Sequence, residues 1–159
     1  LYSLVHVFLF LGILAGFPIE FQLFIGEMWG GSAQLGLLAL LGTVLWGVGL
    51  ALETVAGLQL GGFKRDPAHH NQIMQSGLWR YSRHPNYFGE VCVWTGMLLI
   101  ALETPWGWIA AVCPLTLLWL LLGPMGIGLV ERRMRKKRPE AFTDYARRTS
   151  AFVPWFPRA

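Results

Sequence analysis

Apolar positions fill four long runs, Leu4–Phe24, Gln34–Leu60, Asn86–Leu102 and Trp108–Val130. Each approaches the length of helix that crosses the hydrocarbon core of a bilayer, about 20 residues. Pro18 and Glu20 interrupt the first run, so it is predicted to kink or to lie partly in the interface. Glu20 is costly in lipid unless it faces protein or water. The second run carries one acid, Glu53, near its end, and its Gly42, Gly47 and Gly49 suit close helix packing. The third opens at Pro85 and carries Glu90 in its first turns; the fourth has predicted kinks at Pro114 and Pro124. Short loops, Gly26–Ser32 with Trp29 and Glu103–Gly107, join the runs on one side. The polar segment Gly61–Pro85 and the amphipathic remainder Glu131–Ala159 lie on the other. The remainder is predicted to begin as a helix, break at Pro139 and end as an extended tail containing prolines. The pattern predicts an all-α, polytopic membrane protein with about four transmembrane helices and a basic cytosolic C-terminal tail. No internal repeat or linker divides the chain, so residues 1–159 read as one membrane domain.

Charge sharpens this topology. All 13 Lys and Arg fall in Lys64–Arg83 or Arg132–Arg158, and the two loops assigned to the other side have none. Cytoplasmic loops carry the excess of Lys and Arg, so both basic stretches are predicted to share the cytoplasmic (or equivalent) face of a multi-pass integral membrane protein. Only 14% of the 159 residues are charged, against about 25% in soluble domains, and mean hydropathy is +0.46. The eight Trp suit membrane interfaces. A soluble helical domain would spread its charges over all surfaces. The net charge of +4 points to anionic headgroups rather than nucleic acid. Cys92 and Cys113 both lie in apolar runs and read as small buried hydrophobes. His69 and His70 lack further ligands at metal spacing, and His6 reads as a packing or interfacial residue. The chain opens on Leu1, which suits a piece of a longer protein, and no signal-peptide pattern precedes its first apolar run.

The densest polar information is Gly77–Glu90, GLWRYSRHPNYFGE. Arg80, Arg83 and His84 offer cations or donors, and Arg binds phosphate bidentately. Trp79, Tyr81 and Tyr87 offer flat rings for stacking. Pro85 followed by helix puts N–H groups and the positive end of a dipole near Asn86. A dinucleotide would find most of what it needs there. Headgroup anchoring accounts equally well for Trp79 and Tyr81, but poorly for Asn86 and for Glu90, an acid inside an apolar helix. Glu53 and Glu90 approach the basic face from within the membrane, either to contact a ribose, an amide or a cation, or to pair with Arg or Lys of the polar loops. The cluster ERRMRKKRPE, Glu131–Glu140, reads mainly as a solvated anchor; Glu131, at the membrane boundary, is its candidate for a specific contact.

Three segments together resemble the steroid 5α-reductase C-terminal-like family: FKRDP at Phe63–Pro67, SGLWRYSRHPNYFGE at Ser76–Glu90 and RPEAFTDYARRTSAFVPWFP at Arg138–Pro157. The family is related to the sterol reductases and, more distantly, to isoprenylcysteine carboxyl methyltransferases. The resemblance covers the chain from about Glu53 onward and is weaker before it. It implies a helical membrane enzyme whose NADPH pocket opens to the cytosol. By this resemblance Asn86 and Glu90 fall on cofactor-contacting positions and Glu53 on a polar helix position. Lys64 falls on the phosphate side, and the Glu131–Arg138 region lies near a polar cofactor-contacting cluster. Tyr145 matches the Tyr of an F-x-x-Y pattern and suits a structural role. Two departures stand out. An Asp often found four residues after the Glu53 position is Gly57 here. The early helices that supply substrate-polarising groups in the 5α-reductases have no clear counterpart.

The resemblance therefore implies the C-terminal, cofactor-binding part of a membrane reductase that uses NADPH on a carbon–carbon double bond of a steroid or other lipid, with no proton donor assigned. One alternative is an S-adenosylmethionine-dependent methyltransferase acting on a lipidic acceptor. Another is a non-enzymatic subunit of a larger membrane complex. Membrane lipids and a lipid or sterol substrate are the expected partners.

Overall fold

The computed structural model describes residues 36–104, 107–123 and 126–158. The first apolar run, the loop 26–32, His6, Glu20 and Pro124 lie outside them. Among the described residues the chain is helical with no strands: α1 (Leu37–Arg65), α2 (Pro85–Ala101), α3 (Val112–Leu122), α4 (Ile127–Lys137) and α5 (Pro139–Arg148), with short 3-10 turns between.

α1 and α2 form an antiparallel pair whose seam is made by glycines seven residues apart on each helix. Gly42 lies against the backbone of Gly96, and Gly49 against that of Gly89. A Cβ on Gly49 would sit 2.6 Å from the Gly89 carbonyl oxygen, and one on Gly96 2.5 Å from that of Gly42. Backbones approach this closely only where side chains are missing. Ala39, Ala56, Cys92, Val93 and Ile100 are buried around these contacts. Gly47 has nothing within 4 Å of a would-be Cβ; it faces away from the seam, contrary to the packing role read for it.

At the end remote from the basic segments, Glu103 reaches back to the start of α1. Its carboxylate accepts the N–H groups of Gly36 at 2.8 Å and Ala39 at 3.1 Å. A helix start leaves such donors unpaired, so an acid 67 residues away caps the helix. The bond from Gly36, then that from Ala39, holds the Glu103 carboxyl below the usual carboxylate range.

Two helical stretches are long and apolar enough to cross a membrane, Leu37–Arg65 and Gly107–Lys137, and only 17% and 12% of their most apolar windows are buried. A soluble core helix would be mostly buried. Here Leu40, Val44, Val48, Leu58, Leu115 and Trp119 point outward. α1 continues past the predicted end at Leu60, so Lys64 and Arg65 complete its last turn, where cations complement the helix dipole. Within the second stretch α3 ends at Leu122, capped at Gly123, and α4 begins at Ile127 after Gly126. Pro114 stands in the first turn of α3, where a missing N–H costs nothing, so it starts a helix rather than kinking one. Cys113 is exposed, on an outward face instead of in the core expected for it; Cys92 is buried.

Candidate functional site

The segment joining α1 to α2 docks on the basic end of the helix pair. Leu78 N–H donates to the Gln59 side-chain oxygen at 3.0 Å. The Trp79 indole N–H donates to the Ala56 carbonyl at 3.1 Å, with the ring packed on Ala56 and Met74. The chain then turns through Ser82, Arg83 and His84, all buried, before Pro85 opens α2.

This buried turn receives the C-terminal part of the chain. Arg83 Nε donates to Glu131 at 2.8 Å, and its Nη1 to the carbonyls of Ala146 at 3.0 Å and Thr149 at 2.6 Å. His84 Nε2 lies 3.3 Å from the same Glu131 oxygen. One carboxylate of α4 thus holds two neighbouring basic side chains, while the Arg83 fork reaches α5 and the tail. The Arg83 and Arg135 guanidinium groups flank the ring of fully buried Phe142, 6.0 and 5.6 Å from its centroid. Ser82 Oγ donates to the Phe152 carbonyl at 2.7 Å, and Arg83 N–H to that of Ser150 at 2.8 Å. The two basic stretches therefore meet at one end of the α1–α2 pair.

Tyr145 pins the junction. Its hydroxyl donates to the Trp79 carbonyl at 2.6 Å, and burial pushes its phenol well above the ordinary value, so the donor persists through the physiological range. Tyr145→Phe leaves a buried carbonyl unpaired and is expected to cost about 1–3 kcal/mol, read as a fall in thermal midpoint in detergent with the fold retained.

The second half of the site lies on the helices. Gly89 touches the backbone of Glu53, which places Glu53 and Glu90 at neighbouring levels of the two helices. Asn86 and Glu90 stand one turn apart on one face of α2. The His84 and Tyr87 rings stack at 5.3 Å with planes 9° apart. Glu53, Asn86 and Glu90 are half-buried, and no described residue hydrogen-bonds or ion-pairs with either carboxylate. The pairing with Lys or Arg considered for these acids is thus not seen. Lys64, Arg80 and Tyr81 are exposed at the same end.

The structure thus divides the predicted residues into two groups. Arg83, His84, Glu131 and Trp79 are engaged with protein partners. Glu53, Asn86, Tyr87 and Glu90 border the helix seam with acceptor and amide groups to spare, and Lys64, Arg80 and Tyr81 face outward. Ser82, Phe142 and Thr149, which hold the junction, escaped the sequence reading. A small polar residue and an aromatic 60 positions apart give no local signal. His69 stacks on Phe63 at 4.4 Å and lies 3.3 Å from Asp66, a local arrangement. A cavity of about 250 Å³ opens beside the tail, with Arg83 on one wall and neither Glu53 nor Glu90 lining it.

A family model described as a protein of unknown function (DUF1295) matches residues 1–149. The chain belongs to that family. No curated protein and no solved structure matches it.

Proposed function

We propose that this chain is the cofactor-binding part of a multi-pass membrane reductase, of the steroid 5α-reductase-like kind, that uses NADPH to reduce a carbon–carbon double bond of a steroid or other lipid. In this reading four spans cross the bilayer and the basic segments lie on the cytoplasmic side. The observation that supports it best is the pair Glu53 and Glu90 with Asn86, held at the basic end of a glycine-built seam and without a hydrogen-bond or ion-pair partner among the described residues. Carboxylates that no described residue satisfies suit the hydroxyl and amide donors of a dinucleotide. Lys64 and Arg80, exposed at the same end, suit its phosphates. When bound, the cofactor supplies the hydride. The chain's own work is positional: Asn86 and Glu90 orient the ligand from one face of α2, Glu53 from α1, and the apolar helices keep water from the reacting bond. Arg83, His84 and Glu131 act through the junction, holding α2 and the tail in register.

The test is equilibrium binding to purified protein in detergent. NADPH is expected to bind wild type, and Asn86→Ala to weaken it about tenfold or more, in line with loss of a hydrogen bond to a buried polar partner. Selective binding of S-adenosylmethionine would instead favour a methyltransferase on a lipidic acceptor. Binding of neither by folded protein would favour a non-enzymatic subunit of a larger membrane complex.

A further inference from the structure

The C-terminal segment 149–158 is extended, yet it is not loose. Ser150 accepts from Arg83 N–H at 2.8 Å, Trp155 N–H donates to the Tyr81 carbonyl at 3.0 Å, and Arg158 N–H to that of Arg148 at 2.9 Å. These bonds fix the backbone while leaving the large apolar side chains outside. Val153 is 53% exposed, Trp155 67% and Phe156 78%. In water such an exposed apolar cluster would be unfavourable.

Its position supplies the reason. The Phe152 ring packs on Phe88 in the first turns of α2, with centroids 5.7 Å apart, and Phe156 meets Tyr81 edge-on at 6.5 Å. The tail therefore sits at the level where α2 leaves the basic end of the helix pair. The charge beside it is positive. Arg147, Arg148 and Arg158 line the cavity of about 250 Å³ together with Trp155 and Phe156. Asp144 pairs with Arg147 at 2.9 Å and Arg148 at 3.2 Å, and one carboxylate cannot neutralise both. Arg158 has no ion-pair partner among the described residues. Aromatic side chains favour the membrane interface, and guanidinium groups bind phosphate as a fork.

We propose that residues 150–158 form an interfacial foot: Val153, Trp155 and Phe156 enter the headgroup–acyl boundary of an anionic leaflet while Arg147, Arg148 and Arg158 bind its phosphates. The foot fixes how deep the basic end of the helix pair sits, and so the level at which a lipid substrate meets the seam. It rests on the membrane placement proposed above, and not on which cofactor the seam holds.

The test is the depth of a spin label on Val153→Cys, with Cys113→Ala and buried Cys92 left in place. The protein is held in nanodiscs of phosphatidylcholine alone or mixed with phosphatidylglycerol, and depth is read from collisions with oxygen against a water-soluble nickel chelate. Val48→Cys on the outward face of α1 serves as the reference: a label there that contacts water rather than lipid would overturn the membrane placement itself. With that reference in lipid, the Val153 label is expected at the headgroup–acyl boundary, deeper in the anionic discs. Replacing Arg147, Arg148 and Arg158 by Gln is expected to return it to its depth in the neutral discs. The Arg158 backbone bond survives that change, so the tail stays in place. A Val153 label fully open to the nickel chelate, one shielded from both reagents by a protein neighbour, or one whose depth ignores lipid charge and the Arg replacements would each overturn the foot.

Discussion

Arg83→Ala is expected to cost about 3–5 kcal/mol, the usual penalty for removing one member of a buried charge pair. The guanidinium is nearly buried and binds Glu131, Ala146 and Thr149 at once. Its removal leaves the Glu131 carboxylate with His84 alone and two carbonyls unpaired. Arg83→Lys is expected to recover only part of the loss, because an ammonium cannot span three acceptors as a planar fork does. The readouts are the thermal midpoint in detergent and limited proteolysis. Cleavage between α4 and the C-terminus should accelerate in the Ala variant well before the α1–α2 pair unfolds. If the tail stays protected, the junction is held by Phe142 and Tyr145 rather than by the ion pair.

The second large effect belongs to the glycine seam. Gly49→Ala puts a methyl group 2.6 Å from the Gly89 carbonyl oxygen and 2.7 Å from the Val93 nitrogen. Neither is a flexible side-chain end, so the two helices must move apart. The expected cost is about 3 kcal/mol, the upper part of the range for overpacking, and the shift would carry Glu53 away from Glu90. Gly47→Ala, half a turn away with open space around it, is expected to be neutral or to stabilise by about 0.5–1 kcal/mol, since Ala favours helix over Gly. Thermal unfolding of the two variants side by side separates packing from helix propensity. Equal effects would contradict the seam.

This contrast shows where the amino-acid pattern was legible and where it was not. Long apolar runs announced α1 and α2, and the confinement of Lys and Arg to two stretches announced that these would meet. The glycines of α1 were visible as a packing motif, but nothing local separates Gly47 from Gly49; that depends on which face meets Gly89 and Gly96 of α2. The end of α3 at Leu122 was hidden because the apolar run continues past it. The candidate site was half legible. Glu53, Asn86 and Glu90 stood out because acids and an amide are rare in apolar helices. Arg83, His84 and Glu131 stood out for the same chemistry, and composition cannot tell a cation that waits for a phosphate from one already bound to a carboxylate 48 residues away. Ser82 and Phe142 were invisible, since their roles arise only when α5 folds back on the loop.

The most direct test of the central claim is hydrogen–deuterium exchange of the protein in nanodiscs, with and without NADPH. The expected result is added protection at the basic end of the seam, in peptides covering 49–56 and 76–90, lost in Glu90→Ala. Unchanged exchange throughout, or protection confined to 147–158, would contradict the placement of a dinucleotide between Glu53 and Glu90.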